Sequence, residues 1–568
     1  MLASGLLFVD DVNEYLSPRD KNGHGTHTSS TAGGGVVPDA DFFGFANGTA
    51  RGLAPRARLA MYKACWGTVG CYKSDILAAI DNAVRDGVDV LSLSIGSPFG
   101  QDLYDSDPVA VGTFAAARAG IFVTCSAGNS GPYAGTVTNS APWVATVGAG
   151  TIDRSFPARV VLGNGKVLLG QSLYFQEVNQ SEMIELVYVG LCYPDLLVPA
   201  TVMGKIVICN DASVRTGLDV EEAGAAGLIA VNLPRDGEGI IAQGFTLPAV
   251  AVRYTAEGDI WKYLNSSAGK PVAMLELRYR RTVIGETRAP TVAGFSSRGP
   301  SQASPEILKP DVIAPGMNIL AAWPPESPLY KGNYEDPRRS AFNIVSGTSM
   351  ACPHVAGLAA ALRGAHPTWT PAMVRSAIMT TAATLDNNYR PIIANENSQP
   401  ATPFAVGAGH INPPTARDPG LVYDAGVQDY IDFLCALNYT EEQRHKIVGG
   451  PTTCSEIEGG VAGINYPSFV VIFNNRTSTK VLKRTLKKVY ELPEIYKVRI
   501  VNPIPEKVEV TVKPELLEFK GVNEIRSYEV EFKSKVVMKG SDKCEEYGFI
   551  IWENVEHQVK SPVVFMWE

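Results

Sequence analysis

The chain has 568 residues, a formal net charge of −8, and 45% apolar against 19% charged residues. At about 150 residues per domain this length fits roughly three to four domains, and the composition excludes a disordered chain, a coiled coil and a disulfide-dense mini-protein. The acidity argues against nucleic acid as the main partner, no apolar run reaches the ~18 residues of a membrane-spanning helix, and 54 Gly with 38 Pro point to a mixed α/β or β architecture.

Residues 1–9 (MLASGLLFV) are apolar but carry no basic residue, so no targeting segment is expected there. Residues 58–62 (RLAMY) read as a strand. Residues 74–86 (SDILAAIDNAVRD) read as a helix, with Ser74 as cap, Ile76, Ile80, Ala83 and Val84 at helical spacing, and Gly87 as its end. A strand over 88–95, a helix near 107–119 and a strand over 121–126 follow. Strands alternating with helices of this length predict parallel βαβ units. From about 170 to 285 the pattern changes to a small separate α/β insert. From 286 to about 435 the Gly-rich α/β character returns, with helical segments near 349–364 and 371–381. From about 463 onward apolar and polar residues alternate, which predicts an antiparallel β-sandwich. Its lysine-rich stretch, 480–488, reads as a solvated edge that resists strand addition.

Nine cysteines bear on the compartment. Cys65 with Cys71, Cys192 with Cys209, and Cys435 with Cys454 are close enough in sequence to be disulfides; nine reduced thiols are the alternative. Cys125 and Cys352 lie in apolar runs and read as small buried residues, and Cys544 lacks a nearby partner. Asn47, Asn179, Asn265, Asn438 and Asn475 open N-x-S/T sites.

Three segments carry chemistry. Residues 346–357 read SGTSMACPHVAG. Ser349 opens a helix there, where unpaired N–H groups and the dipole favour an attacking alkoxide and a developing oxyanion. Pro353 is tolerated in a first turn. Taken alone, Ser349 is better explained as an N-cap, the commonest role for such a serine. Residues 22–33 read NGHGTHTSSTAG, where His24 stands between glycines in a turn that can present an imidazole base. His24 and His27 could together suggest a metal, but no third ligand stands at a supporting spacing, so no metal and no cofactor are expected. Residues 124–132 read TCSAGNSGP: a strand ends in a turn carrying Asn129, whose amide can donate to an oxyanion at the ligand crevice of a parallel sheet.

In this order, these motifs resemble the subtilisin-like serine proteases, and DILAAIDNAVRDGVDVLSLSIG, GFSSRGPS, LKPDVIAPG, GAGHINPPTARDPGLVYD and INYPSF resemble the plant subtilase branch. The resemblance implies a doubly wound parallel-sheet α/β peptidase domain (1–165 and 286–435). It further implies an inserted protease-associated domain (170–285) and a C-terminal fibronectin III-like sandwich (463–568). It makes His24 general base and acid, Ser349 the nucleophile, and Asn129 with the Ser349 N–H the oxyanion hole; His27 becomes structural. Ser94, Ile95 and Gly96, and Ser126, Ala127 and Gly128, become the segments that pair with an extended substrate. The three cysteine pairs fall where plant subtilases have disulfides. The partners implied are protein or peptide substrates and a homodimer through the inserted domain, and the implied location is extracellular.

The resemblance departs at the front. The family triad runs Asp, His, Ser, with the aspartate in a D-[TS]-G motif at a strand end. Only Asp10, Asp11, Glu14 and Asp20 precede His24, and none begins such a motif. Asp10 and Asp11 follow the strand-like LLFV but stand closer to the histidine than the family's aspartate does. The expectation is a sheet with an interior gap and a chain that is the remainder of a longer secreted protease, nearly inactive as written. A pseudoprotease acting as a binding or scaffold protein is the alternative.

Overall fold

The computed structural model describes residues 15, 17–66, 70–97, 103–176, 182–267, 269–277, 279–330, 336–474, 477–536 and 545–568. Asp10, Asp11, Glu14, Asn179, Asn475 and Cys544 lie outside these.

Helix α1 (His24–Gly33) is followed by a hairpin of Val37–Phe42 and Phe45–Ala50. Helix α2 (Lys73–Asp86) buries Ile76, Ile80 and Ala83, and Gly87 ends it at φ 71°. It begins one residue earlier than the sequence suggested, so Ser74 sits inside the first turn and its side chain caps nothing. Strand β1 (Val90–Leu93) leads to α3 (Pro108–Arg118), which Asp107 caps by accepting from the Val109 N–H. Strands β2 (Phe122–Ser126), β3 (Ala145–Gly150) and β4 (Val312–Pro315) complete a four-stranded sheet in the order β1-β2-β3-β4. Every pair in it is parallel. β2 and β3 are buried at every position, as a parallel sheet covered on both faces requires. Helix α4 (Thr348–Ala365) lies against all four strands, α2 and α3 pack as a pair, and α3 contacts β2; helix α5 (Pro371–Thr380) follows α4.

The strand read over residues 58–62 does not form. Strand structure needs a neighbour's row of N–H and C=O groups, and among the described residues nothing pairs with this segment or with the free edge of β1. Leu59 and Met61 are accordingly about half exposed (51% and 53%), and Ser92, in the middle of β1, is exposed.

The insert is a closed seven-stranded barrel. Ile184–Gly190, Ile206–Asn210, Gly227–Val231 and Ala249–Val252 run parallel; the antiparallel pair Pro157–Leu162 and Val167–Gln171 closes the ring. The barrel therefore reaches back to Pro157, ahead of the change of pattern near 170, because this hairpin is needed to pair both free edges.

The C-terminal sandwich packs a four-stranded sheet on a five-stranded one around Tyr496, Tyr528, Phe532, Trp552 and Phe565. It recruits an early strand, Leu421–Tyr423. That recruit covers Leu486, Lys487 and Lys488, so this end of the lysine-rich segment is not the solvated edge read from its composition, while Lys483 stays exposed. Lys488 is fully buried and paired with Glu494 at 2.5 Å, and Arg484 is buried with its fork on the carbonyls of Ala462, Tyr466 and Ser468.

Sandwich and parallel sheet meet at one buried polar cluster. Asp311 Oδ2 accepts from Lys309 Nζ (2.7 Å) and the Thr146 N–H (2.6 Å), while Oδ1 accepts from the Tyr466 hydroxyl. The Arg375 guanidinium lies 4.5 Å from the Tyr466 ring centre. Removing the hydroxyl leaves a buried carboxylate oxygen without its donor, at a cost of about 1–3 kcal/mol. Tyr466→Phe should lower the midpoint of denaturant unfolding accordingly; an unchanged midpoint would show that the cluster contributes nothing to stability.

Candidate active site

α4 begins at Thr348, so Pro353 is its sixth residue and lies beyond the first turn where the sequence reading set it. A residue there would normally donate its N–H to the carbonyl of Ser349, and proline has none. The Ser94 hydroxyl, just past the end of β1, donates to that carbonyl instead, at 2.8 Å. Ser349 Oγ in turn approaches the Ser94 carbonyl at 3.4 Å. Helix α4 is thus fastened to the end of β1 at the residue that carries the candidate hydroxyl.

A second fastening joins α4 to the end of β2. Asn129 Oδ1 accepts from both the N–H (2.9 Å) and the hydroxyl (2.8 Å) of Thr348. With the oxygen held, the amide nitrogen is the end left to donate. A methyl group built on Gly347 would lie 3.6 Å from it and 3.7 Å from the Ser349 nitrogen, so both donors face one small space. The Ser349 N–H is one of the helix's first-turn donors, and among the described residues nothing accepts from it.

Residues 94–96 and 126–128 come together through Asn139. Its amide donates to the carbonyls of Ile95 and Ser126, both at 2.8 Å. Ala127 is held on both sides, donating to Val147 and accepting from Thr138. Gly128, at φ 100°, accepts from the Ser297 N–H, and a Cβ there would meet Ser297 Oγ at 2.8 Å. The Gly96 N–H and carbonyl have no partner among the described residues and are exposed to an incoming chain.

His24 is the first residue of α1, half-buried. α1 lies along α4 in close contact: a Cβ on Gly357 would stand 2.6 Å from the Ala32 carbonyl. His27 lies within electrostatic reach of His354 and Ala32 meets Gly357, so the two helices run in the same direction. Gly23 before it has φ 101° and packs on Trp323, whose ring a Cβ would overlap at 2.2 Å. Burial holds the His24 imidazole below its ordinary pKa, with the Asp20 charge opposing in part. Among the described residues none hydrogen-bonds its ring. Asp20 is committed elsewhere: Oδ1 accepts from the N–H groups of Asn22 and Gly23, Oδ2 from the N–H and hydroxyl of Thr26. Burial raises its pKa, but these bonds outweigh that and keep it below the usual carboxylate range. His27 is fully buried and bonds the Ile319 carbonyl through Nε2 at 2.9 Å.

A subtilase-family model matches residues 8–409, and a fibronectin type-III model matches residues 463–565. The subtilisin-like protease SBT1.7 of Arabidopsis thaliana is 45% identical over 98% of this chain and 74% of its own length. The chain belongs to the subtilase family. SBT1.6 and SBT1.4 of the same plant are each 46% identical over 98% of this subtilase and 74% and 73% of their own lengths.

The three disulfides expected of a plant subtilase all form: Cys65–Cys71, Cys192–Cys209 and Cys435–Cys454. Cys125 and Cys352 are free and buried. Sequence reading missed Thr348, Asn139 and Asn318. The last is buried, at φ 57°, and its backbone N–H and Oδ1 bracket the Ser346 hydroxyl (2.8 and 3.3 Å) three residues before Ser349. Thr348 stands inside the SGTSMACPHVAG motif, but nothing local shows its role, and no motif marks Asn139 or Asn318, because each acts through a long-range bond. Among the described residues one group, Glu494, Glu556 and His557, has metal-like spacing, but the Lys488 ammonium already occupies Glu494.

Two measurements probe this geometry. Ser94→Ala leaves the Ser349 carbonyl without a donor and should destabilise by about 1–3 kcal/mol; no change in the unfolding midpoint would deny Ser94 that role. Burial also pushes His27, His354 and His410 down to about 4. Unfolded imidazoles take up protons below about pH 6.5 but these folded ones only near 4, so stability present above pH 6.5 is lost as pH falls toward 4. For His27 alone the loss is on the order of 3 kcal/mol. Denaturation midpoints at pH 7, 5.5 and 4 should fall in that order; a flat profile would contradict the buried neutral state.

Proposed function

We propose that this subtilase is a serine-type endopeptidase acting through a Ser349 acyl-enzyme. Ser349 Oγ attacks the scissile carbonyl while His24 takes its proton. The oxyanion is held by the Asn129 amide and the Ser349 N–H. His24 then protonates the leaving amine, and water, activated by the same imidazole, releases the acyl group. The observation that carries the reading is the pair of hydrogen bonds from Thr348 to Asn129 Oδ1, which leaves the amide nitrogen to donate beside the Ser349 helix terminus. Burial of His24 supports it, since a neutral imidazole is ready as a base at pH 7. Gly96 and Gly128 suit the reading too, because their bare backbones admit an extended peptide beside the strand ends.

A second reading, a binding or scaffold protein without turnover, has one observation on its side. Asp20 spends both oxygens on its own turn, so it does not hold His24 in one tautomer. In a subtilisin, a relative of this chain, loss of the triad aspartate lowers kcat by roughly 3 × 10⁴-fold, with a residual rate from the oxyanion hole and binding.

The three disulfides favour an oxidising, extracellular location, and among the described residues no helix is long and apolar enough to cross a membrane. Homodimerisation through the insert is supported by its exposed Leu191, Tyr193, Leu196, Val198 and Met203.

A fluorophosphonate tests the chemistry with or without fast turnover. Intact mass should report one adduct, absent in Ser349→Ala and formed far more slowly in His24→Ala, with the acidic limb of labelling falling below the ordinary imidazole pKa of about 6.5. Absence of an adduct in the parent chain would favour the scaffold reading.

A further inference from the structure

A cleft of about 310 Å³ opens beside the turn that leads into α4. Its walls come from four parts of the chain. Val214 and Ile241 belong to the insert, Phe42 to the hairpin after α1, Leu329 and Tyr330 to the segment after Trp323, and Val345 to the strand that leads to Gly347. We propose that this cleft receives a large apolar side chain of the substrate on the leaving-group side of the scissile bond, so that the insert is a specificity-determining wall. The proposal rests on the reading of Ser349 and His24 given above.

The direction follows from what the cleft is tied to. Its strand, Phe342–Val345, pairs antiparallel with Ile319–Ala322. That partner carries α1: the Ile319 carbonyl bonds His27, the Ala322 N–H donates to Ser30 Oγ (3.1 Å), and Trp323 lies under Gly23. The cleft therefore flanks the His24 side of Ser349. The Ser94 and Ser126 segments, with Asn129, flank the other side. An amine that takes its proton from His24 leaves on the His24 side, and the residue that bears it projects toward the cleft.

The chemistry of the occupant follows from which lining groups are already spent. Gln243 accepts from the Val214 N–H (2.8 Å) and donates to the Ala212 carbonyl (3.1 Å). The Arg338 guanidinium is neutralised by Asp336 at 2.6 Å and donates to the carbonyls of Gly244 and Phe245. Ser346 is bracketed by Asn318, which also binds the insert through Ala242 N (2.9 Å) and the Ile240 carbonyl (3.2 Å). Val214, Ile241, Leu329 and Val345 are left as the half-exposed apolar walls, with Phe42 and Ile344 buried behind them. A carboxylate entering there would lose hydration and meet no uncommitted cation among the described residues, whereas an apolar side chain is favoured by burial.

Binding tests this without requiring turnover. Labelled hexapeptides with a free amino terminus, identical except for Leu or Glu as first residue, are titrated by anisotropy against the Ser349→Ala chain. The Leu peptide should bind at least tenfold tighter, and adding Val214→Trp, which fills the cleft from the insert side, should abolish the difference. Leu329→Trp fills it from the opposite wall and serves if the first variant does not reach the parent's unfolding midpoint. Equal affinity for the two peptides, or a preference that survives a folded cleft-filling variant, overturns the proposal. Fluorophosphonate labelling of the Ser349-bearing chain reports on the other reading separately: discrimination without labelling supports the cleft and removes the peptidase chemistry.

Discussion

Two fastenings at the N-terminus of one helix organise the candidate site. Pro353 deprives the Ser349 carbonyl of its helical donor, and the Ser94 hydroxyl replaces it. Thr348 spends its N–H and hydroxyl on the Asn129 oxygen. Each bond is worth about 1 kcal/mol net, yet leaving either acceptor unmet in this partly buried setting costs more. Their larger effect is geometric. They tie the start of α4 to the ends of two adjacent strands, so a hydroxyl, an amide and a free backbone N–H converge without the backbone being able to relax away. The parallel sheet beneath gives the strand ends a common level, and the small residues of α4 let the helix lie close enough for the bonds to form.

The larger bodies of the molecule act on the same turn from a distance. Asn318 links the insert to Ser346, and the Asp311 cluster joins the C-terminal sandwich to the strands that support the sheet. Among the described residues, neither the barrel nor the sandwich hydrogen-bonds Asn129, Thr348 or Ser349. Both restrict how far the surrounding segments can move, which is how a site built from loop ends attains defined geometry.

Much of this was legible in the sequence because its signals are local. The Gly87 stop and the alternation of short apolar strands with helices are properties of neighbouring residues, and α2, β1, α3 and β2 lie near where those signals put them. The motifs around His24, Asn129 and Ser349 were legible for the same reason. What could not be read depends on partners far along the chain. Residues 58–62 have the composition of a strand but no paired neighbour. The lysines of 480–488 suggested an edge, yet a strand from residue 421 onward covers part of it and Glu494 neutralises Lys488. Asn139 has no sequence signature, since its role is to bridge two carbonyls more than ten residues away. Pro353 was read as a first-turn proline, and only the fold reveals that a serine more than 250 residues away in sequence compensates for it.

The central claim is that the Asn129 amide, held by Thr348, stabilises charge developing on a substrate oxygen. Steady-state kinetics of Asn129→Ala on a peptide substrate test it most directly. The account predicts that kcat falls by about 10²–10³-fold while KM stays nearly constant, because the lost bond is made in the transition state and not in the ground state. A kcat equal to that of the parent chain, or a loss confined to KM, would contradict it.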